Sequence, residues 1–135
     1  LSSYLLDSVI LIDHFNGHPE ATRFLLENYR TVAISVITRA EVLTGFDPVS
    51  EAQARAFLDL FPTHPLTVQD ADLAASLRRE RRWKLPDALQ AAVAINRHLK
   101  LVTRNSKDFN PACHDFVVMP YRLTASPPLP PAGTP

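Results

Sequence analysis

The sequence predicts an α/β domain in three layers, with a short, mostly parallel central sheet flanked by helices. Three observations carry that prediction. Apolar runs of strand length repeatedly pass, within a residue or two, into helical spacing. The helical segment from Asp87 to about His98 is apolar nearly all round, which suits burial against a sheet better than a place on the surface. A chain of 135 residues with 46% hydrophobic content fits one core, and a second would be hard to build.

Tyr4 to Leu6 reads as the first strand and ends in Asp7-Ser8, after which Val9, Ile10, Ile12, Asp13 and Phe15 continue as a helix up to Asn16-Gly17. Pro19 suits a first helical turn, where its missing N–H costs nothing, and Ala21, Phe24, Leu25 and Tyr29 follow at helical spacing. Val32 to Ser35 is a second strand, running straight into a helix that contains Glu41 and ends near Gly45. Pro48 opens an amphipathic helix through Phe61, His64 to Val68 is a weak strand, and Asp70 to about Arg82 is a helix rich in Ala and Leu. Pro86 begins the buried helix. Leu99 to Thr103 is a strand of the buried parallel kind, and Asp115 to Met119 is the last. The domain is therefore expected to occupy residues 1–123. From Thr124 onward TASPPLPPAGTP holds five prolines and no aromatic residue, so 124–135 is expected to be a disordered tail with nothing to bury.

Composition narrows the function. Lys+Arg and Asp+Glu both count 14, so the chain lacks the strong overall positive field of a non-specific nucleic-acid binder, and any such contact must be local. Cys113 is the single cysteine, which rules out an internal disulfide and a multi-thiolate zinc cluster and fits a reducing cytoplasm. Asp7 and Asp13 interrupt the apolar start, which is not expected to be a signal peptide, and no apolar run of about 18 residues is present to span a membrane. With three glycines and no glycine-rich phosphate loop, the chain does not read as a nucleoside-triphosphate enzyme. The five histidines, Ser8, Ser35 and Cys113 form no metal-ligand or nucleophile-base pattern.

The residues that draw chemical interest lie where strands give way to helices, because ligands of open α/β sheets bind beyond the carboxyl ends of the strands. Asp7, Glu41, Asp87, Asn105 and Asp108 all occupy such positions. Singly, each has an ordinary explanation. An acid in a first turn interacts well with the helix dipole, Thr38-Arg39-Ala40-Glu41 matches a capping box, and Pro86-Asp87 is a common helix start. Asp70 and Asp72 belong to no motif and read as structural. What singles out the others is their coincidence at one end of one sheet. Carboxylates held close together repel and resist ionisation unless a cation relieves them. A donor set made of oxygens favours Mg²⁺ or Mn²⁺ over zinc. Arg78, Arg79, Arg81, Arg82 and Lys84 form a basic cluster leading into Asp87, with Trp83 free either to stack on an unpaired base or to pack on the core. Arg39, Arg104 and Lys107 lie within the acid-bearing segments, close enough for phosphate contact.

Four segments, YLLDSVILID, SVITRAEVLTG, KLPDALQAAVA and LVTRNSKDF, together resemble the PIN-domain family and, within it, the VapC-like toxins, over about residues 4–120. The resemblance implies that Asp7, Glu41 and Asp87 form the metal site, with Asp7 and Asp87 as direct ligands and either Asn105 or Asp108 completing it. Ser8 and Thr103 would donate hydrogen bonds to the acids from behind. It further implies Mg²⁺-dependent hydrolysis of single-stranded or loop RNA, with Mn²⁺ as a substitute, leaving a 5′-phosphate and a 3′-hydroxyl. A homodimer and a cognate antitoxin whose segment fills the basic groove are implied as partners. Two other readings stay open. One is a PIN-like nuclease acting on DNA or in RNA maturation, since acids read phosphate chemistry rather than sugar. The other is a non-catalytic metal-binding signalling or interaction module. A receiver-type module would need an Asp at the end of the second strand, where Val32 to Ser35 has none.

Overall fold

The computed structural model describes residues 2–123, and the expected tail, 124–135, lies outside them. The elements run β1 (Tyr4–Leu6), α1 (Ser8–Phe15), α2 (Pro19–Asn28), β2 (Val32–Ser35), α3 (Val36–Thr44), α4 (Pro48–Leu58), β3 (Thr63–His64), α5 (Val68–Arg81), α6 (Leu85–Asn96), β4 (Lys100–Val102) and β5 (Val117–Val118). The strands form one sheet in the order β3-β2-β1-β4-β5. Every neighbouring pair is parallel, with Leu5 opposite both Ala33 and Leu101. The expected three-layer α/β architecture is borne out.

Alternation along the strands sorts the core into two layers, because successive side chains point to opposite faces. Leu5, Leu101 and Val117 pack with Ala88, Ala91 and Ala92 of α6, Ala74 of α5, Trp83 and Phe109. On the other face Leu6, Val32, Ile34 and Val102 pack with Ile10, Leu11, Leu25, Val42 and Leu58 from α1 to α4. The alanines let α6 lie close against the sheet, and its run Ala91 to Ala94 is fully buried, as its apolar circumference predicts.

Local chemistry sets the helix ends. The carboxylate of Asp7 accepts from the Ser8 N–H, the Ser35 hydroxyl accepts from the Thr38 N–H, and Asp47 accepts from the Val49 and Ser50 N–H groups, satisfying donors that the first turn leaves without partners. Pro19, Pro48 and Pro86 occupy first turns as expected. Gly17, at φ 87°, supplies the left-handed turn between α1 and α2. Several boundaries differ from the sequence reading: β3 is Thr63–His64 rather than His64 to Val68, β5 is shortened to Val117–Val118, and α6 begins at Leu85. Helix α4 stops at Leu58 rather than Phe61, because Phe61 turns back to bond the Leu58 carbonyl and buries its ring. Val68 opens α5 instead of ending a strand, since Thr67 and Asp70 form a reciprocal capping box that starts the helix there.

Candidate metal centre

Strands β2 and β3 lie on one side of β1, and β4 and β5 on the other, so the order of the chain reverses between β1 and β4. Connections leave in opposite directions at such a point, and a crevice opens beyond the strand ends. Asp7 stands in it. Its backbone N–H is tied to the Val102 carbonyl of β4 at 2.9 Å, and the residue is 6% exposed. One carboxylate oxygen accepts from the Ser8 N–H at 2.9 Å and from Gln90 at 3.4 Å, and the other accepts from the Thr103 hydroxyl at 2.8 Å. Burial raises the pKa of Asp7, and these three donors only partly oppose it.

The other acids converge on the same end of the sheet. Asp87, in the first turn of α6, has its pKa pushed up to about 6 by partial burial and by the charges of Asp7, Asp108 and Glu41, with Lys84 alone favouring its ionised form. Glu41 stands on the exposed rim, raised by partial desolvation and by Asp7, with the Ser8 side chain opposing the shift. A cleft of about 420 Å³ is lined by Asp7, Ser8, Asp87, Arg104, Asn105 and Lys107. The Asn105 amide donates to Asp108 at 3.2 Å, and the Asn105 backbone N–H donates to the Thr103 hydroxyl at 3.1 Å. The two candidates for the fourth position are thus bonded to each other.

The residues fit an oxygen-preferring divalent cation that keeps part of its water shell. Among the described residues no three His, Cys, Asp or Glu side chains are grouped so that they could hold a metal ion between them. Mg²⁺ does not need such a group, since it is usually held by one or two carboxylates and retains several waters. Burial raises all three acids, the charge of Asp7 adds to the shifts of Glu41 and Asp87, and a bound cation would offset both effects.

Several residues take positions different from those expected. The Glu41 capping box does not form: Ser35 caps α3, and the Thr38 hydroxyl donates to the Leu6 carbonyl at 3.0 Å. Trp83 is buried rather than poised for a base, packing on Phe109 at 4.8 Å and donating its indole N–H to the Asp108 carbonyl at 3.1 Å. Arg104 borders the cleft, yet its guanidinium is bound at both ends by the buried Asp13, at 2.6 and 2.8 Å, and Tyr121 donates to the same carboxylate at 2.8 Å. Arg39 is paired with Asp59 at 2.7 Å. Lys107 lines the cleft. Arg78, Arg79, Arg81, Arg82 and Lys84 are exposed along the end of α5 and the loop into α6, with the Arg78 side chain donating to the Trp83 carbonyl at 3.1 Å. Asp70 is structural, as expected, capping α5 and pairing with Arg97 at 2.9 Å, and Asp72 is exposed.

Sequence reasoning missed Gln90, Thr38 and Ser35, which form a buried hydrogen-bonded chain directly behind Asp7. A signal was present. Gln90 is the one amide in the otherwise apolar stretch Ala88 to Ile95, and a polar group there must find buried partners.

The model of the PIN domain matches residues 4–113. A toxin-antitoxin complex from Klebsiella pneumoniae contains a chain 38% identical to this one, with a TM-score of 0.81, covering 90% of this chain and 100% of that one. A chain of VapBC2 from Rickettsia felis, bound to a promoter DNA fragment, is 27% identical over 78% of this chain and 90% of that one, with a TM-score of 0.67. FitAcB from Neisseria gonorrhoeae, at 22% identity, shares the fold over 89% of this chain and 99% of that one, with a TM-score of 0.70. No curated protein matches the chain. The resemblance to VapC-like toxins drawn from the four acid segments is borne out.

Proposed function

Because the chain belongs to the PIN domain family, we propose that it is a magnesium-dependent endoribonuclease and the toxin of a toxin-antitoxin pair. The observation that carries the reading is the group of Asp7, Glu41 and Asp87 at the switch point of the sheet, each raised in pKa and none paired with an arginine. Asp7 and Asp87 would hold the cation, with Glu41 at the rim and Asn105 or Asp108 completing the set. When bound, Mg²⁺ would supply a Lewis acid for the phosphodiester and a water of lowered pKa. The chain supplies the rest. Thr103 and the Ser8 N–H orient Asp7. Lys107 within the cleft and the exposed arginines at the end of α5 offer positive charge along which a phosphate backbone can be drawn towards the acids.

An antitoxin partner and a homodimer belong to the same reading, and the Klebsiella pneumoniae structure named above is a toxin-antitoxin complex. Leu26, Tyr29 and Leu60 border an apolar groove of about 570 Å³ between α2 and the end of α4 and are 69, 57 and 75% exposed. An apolar patch of this kind suits a partner segment. No helix among the described residues is long and apolar enough to cross a membrane. The cytoplasmic location that we propose rests on the single cysteine, Cys113, which suits a reducing compartment.

The test is cleavage of end-labelled single-stranded RNA and of DNA of the same sequence, in Mg²⁺ and in excess chelator. RNA should be cut in Mg²⁺ alone, leaving 5′-phosphate ends. Cleavage of DNA with RNA intact, or cleavage that persists in chelator, sinks the proposal.

A further inference from the structure

We infer that Gln90 is a positioning residue for this centre: its buried amide holds Asp7 in register with the two helices that carry Glu41 and Asp87. The inference rests on the function proposed above and concerns a residue that the acid motifs do not include. Gln90 is 1% exposed and lies one helical turn beyond Asp87 on α6. Its nitrogen donates to Asp7 at 3.4 Å and to the Thr38 hydroxyl at 2.5 Å, and its oxygen accepts from the Ser35 hydroxyl at 2.5 Å. Ser35 in turn accepts from the Thr38 N–H, and Thr38 donates to the carbonyl of Leu6, the residue before Asp7. One side chain therefore joins the end of β1, the start of α3 and the first half of α6.

Only one orientation of the amide satisfies this chain. Turned over, its oxygen would face the Asp7 carboxylate and a Thr38 hydroxyl whose hydrogen already goes to the Leu6 carbonyl, acceptor against acceptor on both sides. The donor is therefore aimed at Asp7 by the partners on the other side. A network with every member satisfied is rigid, and rigidity fixes spacing. Carboxylates that share a cation must hold their separation, and outer hydrogen bonds to ligating carboxylates commonly tune affinity. An apolar residue would fill the same volume among Ala88, Ala91 and Ala92 but leave the buried Ser35 hydroxyl without its acceptor, so filling space does not account for a glutamine.

The experiment compares the parent, Gln90→Met and Gln90→Asn by calorimetric titration with Mn²⁺, by RNA cleavage and by thermal unfolding in chelator. Methionine keeps the length and loses the amide, whereas asparagine keeps the amide but falls a methylene short. Mn²⁺ affinity should drop by about 10-fold or more in the methionine variant, the usual scale for lost outer-sphere hydrogen bonds. The asparagine variant should show the same direction of change. In both, kcat should fall while KM for RNA stays near the parent's. If Gln90→Met does not fold, Gln90→Asn decides the matter, and failure of both to fold assigns Gln90 to the fold alone and overturns the inference. Unchanged Mn²⁺ affinity and kcat beside a lowered melting temperature also overturn it. A parent that neither binds Mn²⁺ nor cuts RNA brings down the functional reading and the inference with it, whereas an active parent with indifferent variants brings down the inference alone.

Discussion

Asp70 and Asp7 are both buried carboxylates at the start of a helix, and what surrounds them differs in sign. Burial alone would raise Asp70, but Arg97, Asn96 and the Thr67 N–H overcome it and hold the carboxyl far below the usual range. Asp13 follows the same pattern, with Arg104 and Tyr121 outweighing burial. Asp7 receives hydrogen bonds but no cationic partner, and its charged neighbours Glu41 and Asp87 are acids. Equal burial therefore separates carboxylates that stabilise the fold from carboxylates the fold holds at a cost. Sites of the second kind are where function concentrates.

The comparison breaks most sharply on activity. Asp7→Asn should reduce RNA cleavage to background while the melting temperature in chelator holds or rises, because losing the charge relieves repulsion with Asp87 and Glu41 and opens no cavity. Cleavage at near the parent rate in Mg²⁺ would show that Asp7 holds no cation. A melting temperature that collapses would place Asp7 with Asp70, and the contrast would vanish.

Arg97→Met probes the opposite pole. It strands Asp70, which is 0% exposed, without its counter-ion, and removing one partner of a buried pair costs about 3 kcal/mol. Thermal unfolding should show a fall of roughly 10 °C at the slope usual for a domain of this size. Mn²⁺ affinity below that transition should stay as in the parent.

Titration separates the two sets again at smaller scale. The folded chain binds the Asp87 proton more tightly than the unfolded chain, because its carboxyl is raised to about 6. The stability linked to that proton is present in acid and lost as pH rises through about 6. Asp70, held low, contributes in the opposite sense: its stability is present above the ordinary carboxylate range and lost as pH falls. The Asp87 contribution alone should lower the melting temperature in chelator by a few degrees from about pH 5.5 to about pH 7.5, for a screened, half-buried group contributing about 1 kcal/mol. The depressed histidines His14, His64 and His114 act in the opposite sense. Asp87→Asn should remove the Asp87 contribution. A parent and an Asp87→Asn variant whose melting temperatures change alike from about pH 5.5 to about pH 7.5 would show that Asp87 is not held above the usual carboxylate range.

The alternation of Leu5 with Leu6 and the apolar circumference of α6 were readable because period and burial follow from side-chain type alone. The positions of Asp7, Glu41 and Asp87 were readable as well, since strand-to-helix junctions in a parallel sheet share one edge. What the sequence withheld were pairings across long separations. Arg104 lies just after β4 in the acid-bearing segment 101–109 and reads from sequence as a phosphate contact, but Asp13, far earlier in the chain, takes its guanidinium. Trp83 stands among arginines in the sequence, yet Phe109 gives it a place in the core. Gln90 was visible as an odd amide, but its three partners come from β2, α3 and the end of β1, and no local pattern names them.

Arginines offer the same contrast as the acids, between charges already paired and charges left to solvent, and the smallest expected effect tests it. Arg39 is bonded to Asp59, whereas Arg79 and Arg81 are exposed and join no ion pair among the described residues. A phosphate contact on a single strand releases condensed counter-ions and steepens the log-log salt dependence of binding by roughly 0.7. A double change, Arg79→Gln with Arg81→Gln, should therefore weaken binding of a catalytically silent Asp7→Asn background to RNA and flatten its salt slope by up to about 1.4. Arg39→Gln in the same background should leave the slope within error of the parent's, because its charge is spent on Asp59. The measurement is fluorescence anisotropy of labelled RNA across a salt series. If Arg39→Gln flattens the slope and the double variant does not, RNA passes along α3 rather than the end of α5, and pairing within the protein does not withdraw an arginine from the nucleic acid.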